Sequence, residues 1–311
     1  MTSAPALDIG ATCSRDGIVG SPPLVNNGQL IASGALRWQV RSAGYGPRVL
    51  LLHGTGSAAE SWARLIPLLA DRFQVLAPDL PGHGATSALP PGRSGLDEFA
   101  AALNRLVADR DERPDIIVGH SAGAAIAARM ALEDPRVAVL ALNGALRPLS
   151  GWTAATFVPL ARLLGTNALV ARLAARMVVA DPQAVPRLLA ATGSRIDAGM
   201  LALYAGLLRR PEHVAGTLRM LAHWDLRALV PRLDALGPRL TLVAGAADRI
   251  IAPQDALWVH QRVPGSRLLC LPALGHLAHE ETPAAIANIV AQLAQDRGLP
   301  GHAKPDAEAA P

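Results

Sequence analysis

The sequence predicts an α/β protein with a mostly parallel, eight-stranded sheet flanked by helices and a helical cap inserted after the sixth strand. Three observations carry this. Short apolar, β-branched runs alternate with helical-period segments over most of the chain, which is the pattern of a parallel sheet covered on both faces. That alternation lapses between about residues 146 and 225, where apolar residues recur only at helical spacing. In the middle of the chain, the apolar run Ile116-Ile117-Val118 passes through Gly119-His120-Ser121-Ala122-Gly123 directly into an Ala-rich helical stretch, residues 124–132.

Taken in order, residues 1–23 are rich in Gly, Ser and Pro and read as a flexible N-terminal segment. Residues 24–43 carry turn signals at Asn26-Asn27-Gly28 and Ser33-Gly34 and read as an antiparallel hairpin. A buried strand follows at Arg48-Val49-Leu50-Leu51-Leu52, an amphipathic helix at residues 60–70, a strand at Gln74-Val75-Leu76-Ala77 and a helix over residues 97–109. After the central strand and its helix comes a strand at residues 137–142 that ends at Asn143-Gly144. The cap, residues 146–225, is punctuated by Pro148, Pro159, Pro182, Pro186 and Pro211. Within it, residues 156–180 combine an apolar run with Arg162, Arg172 and Arg176, which suits an apolar face over a pocket with the arginines toward water, or contact with a membrane surface. Strands resume at Leu240-Thr241-Leu242-Val243-Ala244-Gly245 and Arg267-Leu268-Leu269-Cys270-Leu271, with helices from Pro253 and over residues 283–293. The core therefore comprises residues 24–145 and 226–297, and residues 298–311, made of Ala, Pro and charge, read as a disordered tail.

Composition narrows the function classes. At 311 residues there is room for one large core and an insertion, and 50% apolar with 17% charged residues implies that most of the chain is packed. The net charge of +4 comes almost wholly from arginine, Lys304 being the single lysine. No basic block or stacking aromatics accompany it, so nucleic acid is not an expected partner. Cys13 and Cys270 make neither a disulfide framework nor a metal site. There is no G-x-x-x-x-G-K-[ST] loop and no ligand cluster, so no cofactor and no metal are expected. Residues 1–10 lack the basic flank and apolar centre of a signal peptide, and no run of 18 apolar residues occurs, so a cytoplasmic location is expected.

The chemistry resides at strand ends. A G-x-S-x-G between a strand and a helix is a nucleophile elbow: the serine occupies a strained turn, and only small residues fit two before and two after it. Ser121 is therefore the candidate nucleophile. In the α/β-hydrolase arrangement the loop after an earlier strand, here His53-Gly54-Thr55-Gly56-Ser57, supplies one backbone N–H of the oxyanion hole, and the residue after the nucleophile supplies the other. Those donors would be Thr55 and Ala122. An acid follows the strand at residues 240–245 in Ala246-Ala247-Asp248-Arg249, and a histidine follows the next strand in Leu274-Gly275-His276-Leu277-Ala278-His279-Glu280. The chain order Ser121, Asp248, His276 is that of this fold, not of the chymotrypsin or subtilisin types. His276 would take the Ser121 proton during attack on a carbonyl, and Asp248 would hold the imidazole tautomer. A serine here argues against haloalkane dehalogenase and epoxide hydrolase chemistry, which need a carboxylate nucleophile. His279 is a rival base and Asp225 a rival acid; His53 is read as a brace for the oxyanion loop, and His83 as a local hydrogen-bonding residue. Trp62, Trp152 and Trp224 are candidate pocket walls.

Several segments resemble the magnesium-chelatase accessory family of bacteriochlorophyll biosynthesis, which has the α/β-hydrolase fold. They are residues 53–62, 119–130, Asn143-Gly144-Ala145-Leu146, Thr192-Gly193-Ser194-Arg195-Ile196-Asp197, His223-Trp224-Asp225-Leu226 and residues 275–281. The elbow and the Ser121, Asp248 and His276 pattern are general to the superfamily, and the segments in the cap point to this family. The resemblance implies a role around insertion of magnesium into a porphyrin, a small-molecule ester or tetrapyrrole-like substrate, and magnesium chelatase subunits as partners. Peripheral contact with the inner membrane through the cap is an expectation from the apolar and arginine pattern of residues 156–180. Two alternatives stay open: a non-catalytic accessory that carries a tetrapyrrole, and a catabolic carboxylesterase or C–C bond hydrolase.

Overall fold

A computed structural model describes residues 28–148 and 168–299. Its single sheet has eight strands: β1 (Gln29–Ser33), β2 (Leu36–Ala43), β3 (Arg48–Leu52), β4 (Gln74–Pro78), β5 (Ile116–His120), β6 (Ala138–Leu142), β7 (Leu240–Gly245) and β8 (Arg267–Leu271). The spatial order is β1-β2-β4-β3-β5-β6-β7-β8, with β1–β2 and β2–β4 antiparallel and every other pair parallel. The expected opening hairpin is the antiparallel edge.

Alternation within the strands divides the core into two apolar layers. Leu50 and Leu52 of β3 face one layer with Trp38, Phe99, Leu103 and Ile126, while Val49 and Leu51 face the other with Trp62, Ile66, Phe73 and Val290. A central strand buried on both faces has no polar side to present, which is why β3, β5, β6 and β7 read as unbroken apolar runs.

The helices around the sheet are α1 (Ile66–Ala70), α2 (Leu96–Asp109), α3 (Ala122–Ala131), α8 (Pro253–His260), α9 (Ala278–Glu281) and α10 (Pro283–Asp296). Between β6 and β7 the described residues form α4 (Ala168–Ala180), α5 (Ala184–Ala190), α6 (Ala198–Leu208) and α7 (Pro211–His223). The single helix expected over residues 60–70 is instead a 3₁₀ turn, Ala59–Trp62, followed by the short α1. Pro67 sits at the start of α1, where its missing N–H costs nothing; inside a continuous helix it would have to donate to the Ala63 carbonyl. Pro186, read as a break in the cap, lies in the first turn of α5 for the same reason, since first-turn N–H groups have no helical acceptor. At the other end, Gly298 at φ 65 terminates α10 and Leu299 N–H bonds back to the Ala294 carbonyl at 2.8 Å, so ordered packing runs two residues beyond the expected boundary. The expected N-terminal segment, residues 1–23, lies outside the described residues, as do residues 300–311 of the tail.

In α4, Ala171 and Ala175 pack with Val214 of α7, while Arg172 and Arg176 are exposed as expected. Leu173 and Met177 are also more than half exposed, so large apolar groups share the outer face with the arginines. No helix among the described residues is long and apolar enough to cross a membrane.

Candidate active site

The loops that follow β3, β5, β6, β7 and β8 leave the carboxyl ends of parallel strands, where open α/β sheets place their ligands. Ser121 follows β5 and caps α3 at φ 52, ψ −117, a strained conformation for a residue with a side chain. The turn is pinned on both sides. Ser121 N–H donates to the Leu142 carbonyl at 3.0 Å, and the Ser121 carbonyl accepts from Ala124 and Ala145 at 3.1 and 3.0 Å. The flanking glycines are dictated by contact: a Cβ at Gly119 would strike the Gly123 backbone, and one at Gly123 would strike the Leu52 carbonyl. Gly119→Ala is expected to cost at least about 2 kcal/mol of stability, because the obstruction is backbone and cannot swing away; urea unfolding indistinguishable from wild type would contradict this.

Asp248 and His276 are both buried, and His276 Nδ1 lies 2.8 Å from Asp248 Oδ2. The same Oδ2 accepts from Asn143 Nδ2 at 2.7 Å, and Oδ1 accepts from the Ile250 and Ile251 amides at 2.8 and 2.9 Å. An acceptor-only carboxylate puts the imidazole proton on Nδ1 and leaves Nε2 with its lone pair. Ser121 Oγ makes no hydrogen bond among the described residues. Its neighbour His120 stands 4.7 Å, ring to ring, from His276 and bonds the His276 carbonyl through Nε2 at 2.9 Å.

On the other side of the serine, His53 fixes the loop after β3. Its Nε2 accepts from Leu80 N–H at 2.8 Å, so its Nδ1–H donates to the Gly54 carbonyl, also at 2.8 Å. Burial pushes the His53 pKa down to about 3, which keeps the ring neutral and this donor–acceptor pattern intact. The Thr55 and Ala122 amides have no hydrogen-bond acceptor among the described residues; Ala122 is the first residue of α3, whose N–H has no helical partner.

The rival residues occupy other settings. His279 is fully buried, 4.3 Å from the Trp62 ring and 4.5 Å from His120, and neither of its nitrogens has a hydrogen-bond partner among the described residues. Burial lowers its pKa to about 3. Asp225 pairs with Arg227 at 2.6 Å at the surface. His83 stacks edge-on against His53 and His213 at 5.3 and 5.4 Å, and its Nδ1 lies 3.3 Å from the Pro81 carbonyl. Of the tryptophans, Trp62 is fully buried in the core layer with Leu65 and Ile66, Trp224 is half-buried at the end of α7, and Trp152 lies outside the described residues.

Two groups escaped the sequence reading. Asn143, at φ 45, ends β6 and binds Asp248; asparagine just past a strand end tolerates the left-handed region, which is the one signal that could have flagged it. Tyr204 of α6 reaches Glu280 Oε1 at 2.6 Å and Ser57 Oγ at 3.2 Å. Burial raises the Glu280 pKa to about 8. No local pattern announces this group, because its members come from three distant stretches of chain.

A family model described as "Alpha/beta hydrolase family" matches residues 49–289, from β3 into α10. The chain belongs to that family. Among its relatives, this hydrolase-family chain is 36% identical over 264 residues to the magnesium-chelatase 30 kDa subunit of Rhodobacter capsulatus, covering 83% of this chain and 90% of that protein. It is 30% identical over 255 residues to the pimeloyl-[acyl-carrier protein] methyl ester esterase of Chromobacterium violaceum, covering 78% and 93% of the two chains. Among solved structures, a thermophilic esterase from Thermogutta terrifontis superposes with a TM-score of 0.66 at 20% identity, covering 87% of this chain and 98% of that one. The fold and the resemblance expected from the motifs are thus both shown.

Proposed function

We propose that this protein is a serine hydrolase that cleaves an ester or related carbonyl through Ser121, His276 and Asp248, in the chemistry served by its magnesium-chelatase relative. The observation that carries the reading is the buried His276–Asp248 bond of 2.8 Å, taken with a serine held at φ 52 in an elbow. As Ser121 Oγ attacks the carbonyl carbon, His276 Nε2 takes its proton, and the new negative charge on the carbonyl oxygen falls to the Thr55 and Ala122 amides. One such donor contributes about 3 kcal/mol in comparable sites. The intermediate collapses to an acyl-serine, and the leaving alcohol departs with the proton from His276. A water then attacks the acyl group, giving its proton to His276 and releasing a carboxylic acid and free Ser121.

A second reading has its own support. The 36% match is to a protein named as a chelatase subunit, which favours an accessory that binds a tetrapyrrole or docks with chelatase subunits. Labelling with a fluorophosphonate probe separates the two. Wild type is expected to label, and Ser121→Ala and His276→Ala are not; a folded wild type that stays unlabelled overturns the hydrolase reading in favour of the accessory.

A further inference from the structure

The loop between α5 and α6, residues 192–197, is hydrogen-bonded to both the acid and the base loops, while Val185, Leu189, Met200 and Tyr204 of the flanking helices pack with Leu277. Its Thr192 carbonyl accepts two backbone N–H groups at once, from Arg249 and from His276, each at 3.2 Å. Arg249 directly follows Asp248, so a single carbonyl bridges the loop that carries the acid and the loop that carries the base. Two residues on, Ser194 Oγ accepts from Leu277 N–H at 2.8 Å, so the residue after His276 is also held. The loop is itself fixed: Thr192 Oγ1 donates to the Leu189 carbonyl at 2.5 Å and accepts from Ser194 N–H at 3.2 Å.

Contact leaves no slack in this arrangement. Gly193 adopts φ 81, and a Cβ there would strike the Ala247 carbonyl. A Cβ at Gly275 would strike the backbone of Gly193 and Ser194. Glu281 adds a strut, accepting from Arg195 N–H at 3.1 Å and from Gly275 N–H at 2.8 Å. The β7–β8 ladder ends at Gly245 and Leu271, and the Ala247 amide to Leu274 carbonyl bond of 2.9 Å extends it a little further. Beyond that point, the bridge from residues 192–194 joins Arg249, His276 and Leu277 through one backbone carbonyl and one hydroxyl, alongside the His276–Asp248, Asn143–Asp248 and His120–His276 bonds.

We propose that Ser194 and the Thr192 carbonyl are positioning residues for the His276–Asp248 pair: the insertion sets the orientation of the imidazole toward Ser121. The proposal rests on the reading of Ser121, His276 and Asp248 as the reacting centre. Reactivity falls steeply with small displacements of a base, a misplacement of about 1 Å costing up to roughly 100-fold.

The test uses the full chain and the variant Ser194→Ala, which removes the acceptor for Leu277 N–H and leaves the Thr192 carbonyl in place. Three quantities are read: the melting temperature, the second-order rate of fluorophosphonate labelling, and the downfield proton resonance of His276 Nδ1–H. The expected result is labelling slowed by about tenfold with the melting point nearly unchanged, and a His276 resonance that moves upfield and broadens. An unchanged resonance together with an unchanged labelling rate overturns the proposal. Should Ser194→Ala fail to fold, Ser194→Cys, which keeps a weak acceptor of similar shape, is read against wild type in the same two measurements. A wild type that does not label, but whose His276 resonance shifts in the variant, sustains the positioning role while overturning the hydrolase reading. A wild type that labels at the same rate as the variant, with the same resonance, overturns the positioning role alone.

Discussion

Asp248→Asn is expected to slow acylation of Ser121 by about 10³–10⁴-fold with little change in fold. The hydrogen bonds explain why so conservative a change is so costly. Oδ1 accepts from the Ile250 and Ile251 amides, so the oxygen of an asparagine would take that place. The new NH₂ would then stand where Oδ2 now accepts from Asn143 Nδ2 and His276 Nδ1. Donor would face donor. The imidazole escapes that conflict only by moving its proton to Nε2, and an imidazole protonated there cannot take the proton from Ser121. The rate of fluorophosphonate labelling measures this directly, and Asn143→Ala in the same assay should lose far less, because it removes one of four bonds and no acceptor. Equal labelling of Asp248→Asn and wild type would remove Asp248 from the centre.

Stability is expected to collapse as pH falls from 7 to 5. Five histidines are held neutral by burial: His53 and His279 with pKa values lowered to about 3, His213 to about 4, and His83 and His120 well below the ordinary value. Unfolded, each takes up a proton below about pH 6.5, so unfolding consumes protons and becomes easier as they become abundant. Asp79 and Glu280 act in the opposite sense. Burial raises them to about 6 and about 8, so the folded protein holds protons that the unfolded chain releases, and acid stabilises it. Between about pH 6 and pH 4.5 these carboxyls offset two of the five protons. Three remain, which corresponds to a loss of about 4 kcal/mol per pH unit. Against a typical total of roughly 5–15 kcal/mol, that unfolds the protein within a few pH units. Urea midpoints measured at pH 7, 6 and 5 check the slope; a flat profile would mean that the histidines are not buried and neutral.

The sequence made the elbow legible because its cause is local. Gly119 and Gly123 are required by contacts within a few residues of Ser121 and with the adjoining strand, and a strand–turn–helix leaves a periodicity that can be read directly. The parallel strands were legible because burial on both faces forces continuous apolar runs. The broken helix at residues 59–70 was misread because apolar spacing continues across Pro67, and only backbone geometry separates a 3₁₀ turn from an α-helix. Residues 192–197 stood out in the sequence as a family resemblance with no physical meaning attached.

By itself, then, the sequence determined the strand order along the chain, the two-layer core and the serine elbow, each fixed by short-range sterics or by the period of apolar residues. Only the tertiary structure decided which distant groups meet. Asn143 and Asp248 lie 105 residues apart, and Tyr204 and Glu280 are separated by 76. Hydrogen bonds of that span depend on the register of adjacent strands and the docking of the helical segment. A polar side chain bears no local mark of its eventual partner, because the free energy that selects that partner is released only when both are buried together.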